Sequence, residues 1–224
     1  MIKLTNVKKS FLLQRALYDV SLTIKPGELI GVFGANGSGK TTLIKSILGL
    51  SPIDSGEITL DGEPITYKNR GRLSFATCEH SFFPHLTPKE HKEFFTSQFP
   101  EFREERFDLL MNFFDLSYRR RVRSFSTGQK NQFETILALS QGADYIFMDE
   151  PFSGSDIFRR DEFYKLLLGL LEPHETIVLS THLIDEVKYL ISRAIVLKQG
   201  DLVGDILCEE LEEQNINLVE WIKE

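Results

Sequence analysis

The chain has 224 residues, 42% hydrophobic and 26% charged, which suffices for one large α/β domain with a buried core. Its formal net charge of −7 argues against a nucleic-acid partner, since a DNA or RNA binder usually carries a basic face. Two cysteines without metal-ligand spacing, Cys78 and Cys208, fit a reducing cytosol rather than a disulfide framework. No apolar run approaches the ~18 residues that span a membrane, and the N-terminus lacks the apolar core of a signal peptide. A cytoplasmic chain is therefore expected, and any membrane role needs a partner.

Residues 2–25 alternate loosely in β-formers: Ile2, Leu4 and Val7, then Leu17, Val20, Leu22 and Ile24. The pattern predicts antiparallel strands joined by a turn near Leu13–Arg15. Pro26-Gly27 turns the chain into an apolar strand, Leu29–Phe33. The next stretch, GANGSGKTT, fits G-x-x-x-x-G-K-[ST] at Gly34, Gly39, Lys40 and Thr41. Leu43, Ile44, Ile47 and Leu48 then recur at helical spacing. A glycine-rich loop between a strand and a helix is the setting of a phosphate site. The glycines let backbone N–H groups turn inward, and the helix start adds partial positive charge. The expected nucleotide-binding positions are Gly34, Ala35, Asn36, Gly37, Ser38, Gly39, Lys40, Thr41 and Thr42. Lys40 would reach the β- and γ-phosphates, and the Thr41 hydroxyl would hold Mg²⁺.

Beyond this helix, Ser51-Pro52 and Ser55-Gly56 are expected to break the chain before a short strand, Glu57–Leu60, with Asp61-Gly62 as a hairpin turn. Leu73–Thr77 is another apolar strand. From Thr87 to Phe125 charged residues and phenylalanines interleave at helical spacing, which predicts a helical insert. Ten of the 18 phenylalanines lie between Phe82 and Phe125, so the insert needs a core of its own and a leftover apolar patch could dock a partner. Thr127–Gln141 follows as a helix with Ser126 as N-cap. A buried strand, Tyr145–Met148, runs into Asp149-Glu150-Pro151. Ile157–Leu171 and Leu183–Ile191 are expected helices, and Thr176–Leu179 and Ala194–Lys198 expected strands. Gly200 turns into a last strand, Leu202–Ile206, and the tail from Glu209 to Glu224 reads as an amphipathic helix anchored by Trp221. Strands alternating with helices imply a mainly parallel sheet with right-handed crossovers.

Asp149 stands at the C-terminal end of its strand, where ligands bind in open α/β sheets, and is placed to hold Mg²⁺. Glu150 is placed to polarise a water for attack on a γ-phosphate. The order GANGSGKT, FSTGQ (Phe125–Gln129), YIFMDE (Tyr145–Glu150), SGSD (Ser153–Asp156) and STH (Ser180–His182) resembles the ATP-binding subunit of an ABC transporter over nearly the whole chain. The resemblance implies an α/β P-loop NTPase fold of ABC type, with a mainly parallel core sheet, an antiparallel N-terminal β subdomain and a helical insert. One domain would span 1–224, its core being 1–86 and 127–224 and its insert 87–126. Phe11 matches the aromatic residue that stacks on adenine, with Val20 packing near it. Ser126, Gly128 and Gln129 match the signature loop, which binds ATP held by the opposite subunit. Asp156 matches the loop linking the two sites, and His182 the switch histidine at the γ-phosphate.

The resemblance also implies the cofactors ATP and Mg²⁺, a second ATPase subunit, identical or related, and a separate membrane permease that carries the chain to the inner face of the cell membrane. Hydrolysis would use Glu150, Lys40 and His182. The short chain and the form STGQK…STHLIDE resemble bacterial exporter-type systems more than importers. Departures from the family leave two further readings open: a soluble ABC-type ATPase without a permease, and a non-hydrolysing regulatory half of a heterodimer. Thr127 replaces a signature glycine, and Ser155 a leucine. Either Cys78 or Glu79 falls where the family places a Mg²⁺-contacting glutamine, and thiol is a poor ligand for that ion. The run Arg119-Arg120-Arg121-Val122-Arg123 reads as a solvated face, or as a contact for anionic headgroups or an acidic partner.

Overall fold

The computed structural model describes residues 1–12, 14–77, 79–151, 160–182 and 184–223. In chain order the elements begin with β1 (Ile2–Phe11), β2 (Gln14–Ile24), β3 (Leu29–Phe33), α1 (Lys40–Ile47), β4 (Ser55–Leu60) and β5 (Glu63–Pro64). They continue with β6 (Leu73–Ala76), α2 (Pro88–Gln98), α3 (Glu104–Phe113), α4 (Thr127–Ser140), β7 (Tyr145–Asp149) and α5 (Arg160–Leu170). The last are β8 (Thr176–Ser180), α6 (Ile184–Val187), β9 (Arg193–Lys198), β10 (Asp201–Leu207), α7 (Cys208–Glu213) and α8 (Leu218–Lys223). Two compact units result: residues 1–70 with 176–224, and residues 71–175.

The first unit holds an antiparallel sheet in the order β2-β1-β4-β5. Ile2 faces Ile24 and Val7 faces Val20, so the alternating apolar residues of both strands share one buried face. Each such side chain contributes about 1.5–3 kcal/mol by leaving water. The turn closes earlier than the sequence suggests, with Phe11 already paired to Gln14; Leu13 lies outside the described residues. Ser55-Gly56 does not break the chain but opens β4. Gly56 has φ 92°, and a Cβ there would stand 2.4 Å from the Asn6 carbonyl oxygen. The ladder slips register between Thr5 and Lys8, so the glycine is absorbed as a bulge.

In the same unit β3 runs parallel to both β8 and β9, and β10 turns back antiparallel on β9. The β3, β8 and β9 strands are apolar almost throughout, as strands covered on both faces must be. Gln199 and Gly200, both at positive φ (54° and 90°), make the two-residue hairpin that joins β9 to β10. The helix expected over Leu183–Ile191 is described only as α6. After Val187 the chain tightens, with Leu190 N–H donating to Val187 O at 2.9 Å, which carries Leu190 and Ile191 into the core. The C-terminal tail is two short helices rather than one. Asn215, at φ 55°, ends the first, as a short amide side chain tolerates the left-handed region. Trp221 of α8 then lies over Gly204 of β10, where a Cβ would come within 2.7 Å of its ring.

The second unit pairs β6 and β7 in parallel, from Leu73 opposite Tyr145 to Ala76 opposite Met148. Helix α4 packs on both strands and on α3. Its Phe133 is fully buried and meets Phe82, Phe107 and Phe125 at centroid distances of 5.8, 6.3 and 6.1 Å. Helix α2 starts at a capping box: Thr87 Oγ1 accepts from Glu90 N–H, and Glu90 Oε2 accepts from Thr87 N–H. Arg106 of α3 is buried with Glu175, joined by two bonds of 2.9 and 2.8 Å, and also donates to the Leu139 carbonyl. Removing one partner of such a pair costs about 3–5 kcal/mol. Phe83 and Phe94 stay exposed at 47% and 38% and meet edge to face at 5.2 Å.

Candidate functional site

In the first unit β3 ends at Phe33, the chain loops through Gly34–Gly39, and α1 begins at Lys40. The loop needs its glycines. Gly34 (φ 149°) and Gly39 (φ 111°) would place a Cβ 2.3 Å from the Leu197 carbonyl oxygen and 2.5 Å from that of Ala16. No side chain caps Gly39 and no acidic residue stands in the first turn of α1, so the positive end of the helix opens on the loop. Lys40 is 6% exposed, and its Nζ donates to the carbonyls of Gly34 (2.8 Å) and Ala35 (3.3 Å). Among the described residues no carboxylate lies within ion-pair distance of it. A buried ammonium held only by carbonyls has acceptors but no counter-charge, the deficit that a phosphate oxygen fills. Ser38 Oγ, which faces Gly34, is buried without a hydrogen-bond partner among the described residues. The cradle, the orphaned hydroxyl and the uncompensated lysine together fit a bound polyphosphate.

Neighbouring elements of this unit converge on the loop. Val32 of β3 lies opposite Ser180 of β8, and Thr181 N–H donates to Val32 O at 3.3 Å. His182 follows, exposed, at the same C-terminal strand end as the loop, where open α/β sheets bind ligands. The β2 strand presents the Ala16 carbonyl against Gly39, and the Gly200 turn donates its N–H to Ser38 O while accepting from Tyr18 N–H. Phe11 is half exposed, with Lys9 Nζ 4.9 Å above its ring, whereas Val20 is fully buried.

In the second unit Asp149 is the last residue of β7 and 4% exposed. Glu150 follows at φ 48°, a left-handed conformation that costs a glutamate about 1–2 kcal/mol and turns the chain sharply at the strand end. Ser126 caps α4 in a capping box: its Oγ accepts from Gln129 N–H (3.2 Å), and Gln129 Oε1 accepts from Ser126 N–H (3.0 Å). Phe125 is buried beneath this turn while Ser126 and Thr127 are exposed, so the N-terminus of α4 is presented to solvent. Gly128 sits in the first turn of the helix. Asp156, with Ser153 and Ser155, and Cys78 lie outside the described residues. Glu79 N–H donates to Thr77 Oγ1 at 3.2 Å.

One residue that the sequence pattern does not single out stands beside Asp149 and Glu150. Glu134 of α4 is 2% exposed and borders, with Asn131, Thr135, Asp149 and Glu150, a cavity of about 10 Å³, room for one water. Burial pushes its carboxyl above the usual range, against hydrogen bonds from Ser81 that pull it down. The signal available was a glutamate directly after Phe133 and one turn before Leu137 and Ala138, in the more apolar half of its helix. Arg119, Arg121 and Arg123 are exposed and make no ion pair among the described residues; Arg120 donates to Ser124 O at 2.9 Å.

A strand, a glycine cradle with a buried lysine and a helix define a P-loop NTPase fold. The sequence model of the family described as "ABC transporter" matches residues 17–153, and the chain belongs to that family as an ATP-binding domain. The chain is 32% identical over 220 residues to the ABC transporter ATP-binding protein NatA of Bacillus subtilis, covering 91% of this chain and 88% of that protein. To the lipopolysaccharide export system ATP-binding protein LptB of Haemophilus influenzae it is 30% identical over 210 residues, covering 89% and 87%. The fold is similar to that of the ATP-binding cassette MJ0796, solved as a dimer in a post-hydrolysis state with ADP and phosphate (TM-score 0.81, 24% identity, 93% and 99% covered). No helix among the described residues is long and apolar enough to cross a membrane.

Proposed function

We propose that the chain is the ATP-hydrolysing subunit of an ABC exporter, converting ATP and water to ADP and phosphate and acting through a separate membrane permease. The observation that carries the reading is Lys40, buried in its glycine loop against carbonyls alone. In this reading the loop from Gly34 to Thr42 binds the phosphates of ATP, and Phe11 stacks on the adenine. The hydroxyl of Thr41 and the carboxylate of Asp149 are hard oxygen donors suited to Mg²⁺, which when bound neutralises phosphate charge. Glu150 orients the attacking water, and Lys40 and His182 stabilise charge at the γ-phosphate. Ser126, Gly128 and Gln129 act on ATP held by a second ATPase subunit, and Asp156 links the two sites. Residues 87–126 form the insert of a single domain that relays the motion to the permease, holding the chain at the inner face of the membrane. The likeness to LptB supports export, and the exposed Phe83–Phe94 pair supports docking of an apolar segment of the permease.

If catalysis needs two chains, specific ATPase activity rises with protein concentration, so the total rate climbs faster than linearly. A strictly linear dependence down to concentrations where sedimentation shows only monomer rejects the shared site. Replacing Phe83 and Phe94 by serine is expected to abolish co-purification with a multi-span membrane protein while basal ATPase activity stays near that of the parent. Unchanged recovery of the permease would place the docking surface elsewhere.

A further inference from the structure

We infer that Asn131 and Glu134 of α4 are positioning residues that fasten the segment 79–83 to the helix carrying the signature loop, so that segment and loop move as one body. The inference rests on the reading that Ser126, Gly128 and Gln129 act on the ATP of a second subunit.

Asn131 and Glu134 are three residues apart and therefore share a helix face, beginning two residues after Gln129. Asn131 Oδ1 lies 2.9 Å from His80 Nε2. Glu134 receives Ser81 N–H at 3.0 Å from each carboxyl oxygen and the Ser81 hydroxyl at 2.5 Å on Oε1. The loop cannot easily hold this shape unaided, because His80 sits at φ 59°. A third tie fixes the far end of the segment. His91 of α2 is wholly buried, with Nδ1 2.9 Å from Thr87 O and Nε2 accepting from Phe83 N–H at 3.0 Å. The segment is thus bound through His80 and Ser81 to α4 and through Phe83 to α2.

An apolar side chain at position 134 would fill the same volume without the cost of burying a carboxyl group. What the glutamate adds is direction, since its Oε1 accepts from both the amide and the hydroxyl of Ser81, which no apolar side chain can do. Ser81 adjoins the exposed pair Phe83–Phe94 by two residues, and Glu134 lies five residues beyond Gln129. A push on the aromatic patch is therefore delivered to the start of α4 without passing through a compliant loop.

The test uses the full chain carrying Glu150→Gln as parent, with MgATP as the probe. Glu134→Ala is expected to raise hydrogen exchange at the Ser81 amide and to weaken ATP-driven dimerisation at least about tenfold. The affinity of the dilute monomer for ATP, read by equilibrium dialysis, stays within about twofold of the parent. Glu134→Gln keeps a carbonyl acceptor and recovers most of the loss. Ser81→Ala, which removes only the hydroxyl, shows the same division with a loss of about threefold and serves if Glu134→Ala does not fold. Dimerisation equal to the parent's in Glu134→Ala overturns the inference. So does a parallel loss of monomer ATP affinity, which would mean general damage to the fold. A parent that binds ATP but does not dimerise overturns the two-subunit reading, and this inference with it.

Discussion

Replacing Lys40 with alanine is expected to lower affinity for ATP at least about a hundredfold, with little change in thermal stability. The lysine is 6% exposed and donates only to the Gly34 and Ala35 carbonyls, so in the free chain its charge is desolvated without a counter-ion. Its removal relieves that burden in the free state and deletes the charge-assisted bonds of the bound state. Two such bonds at about 1.5 kcal/mol or more each give roughly 3 kcal/mol, or about two decades of affinity. Arginine at the same position should not restore full affinity, because a planar guanidinium fork does not reproduce the compact point charge and rotatable donors of the ammonium. Isothermal titration with ATP and the non-hydrolysable analogue reads the change directly. Undiminished affinity in Lys40→Ala would sink the phosphate assignment.

Glu150→Gln is expected to cut ATP hydrolysis about 10²–10⁴-fold while ATP binding persists, and to trap an ATP-bound dimer. The amide keeps the size of the side chain and one acceptor oxygen, so the φ 48° turn after Asp149 is undisturbed. What is lost is the carboxylate's capacity to take a proton from water. With chemistry blocked, the closed state accumulates instead of decaying to product. Gel filtration with and without ATP distinguishes the outcomes: a variant that stays monomeric with ATP contradicts the two-subunit arrangement, and one that hydrolyses at the parent rate removes Glu150 from its role.

The phosphate loop was legible in the sequence because its chemistry is local. Gly34, Gly39, Lys40 and Thr41 fall within eight residues, between a strand and a helix that announce themselves by periodicity. The capping box of α4 was half legible for the same reason, Ser126 and Gln129 being three residues apart. The bond from Ser81 to Glu134 spans 53 residues and leaves no spacing to detect, so only the folded chain brings the two together. Errors in the elements trace to local signals overridden by packing. Ser55-Gly56 reads as a breaker, yet the backbone of Asn6 approaches so closely that a strand runs through it. The tail reads as one amphipathic helix because its apolar residues suit one, but Asn215 in the left-handed region divides it, and Trp221 settles on Gly204.

That placement of Trp221 has a practical consequence. It is the chain's single tryptophan, and with Val203, Gly204 and Ile222 it lines a groove whose other wall includes Gly34 and Ala35. The protein therefore carries its own optical probe at the rim of the phosphate loop. Intrinsic emission can follow occupancy of that loop in unlabelled protein, with no competing indole elsewhere to dilute the signal.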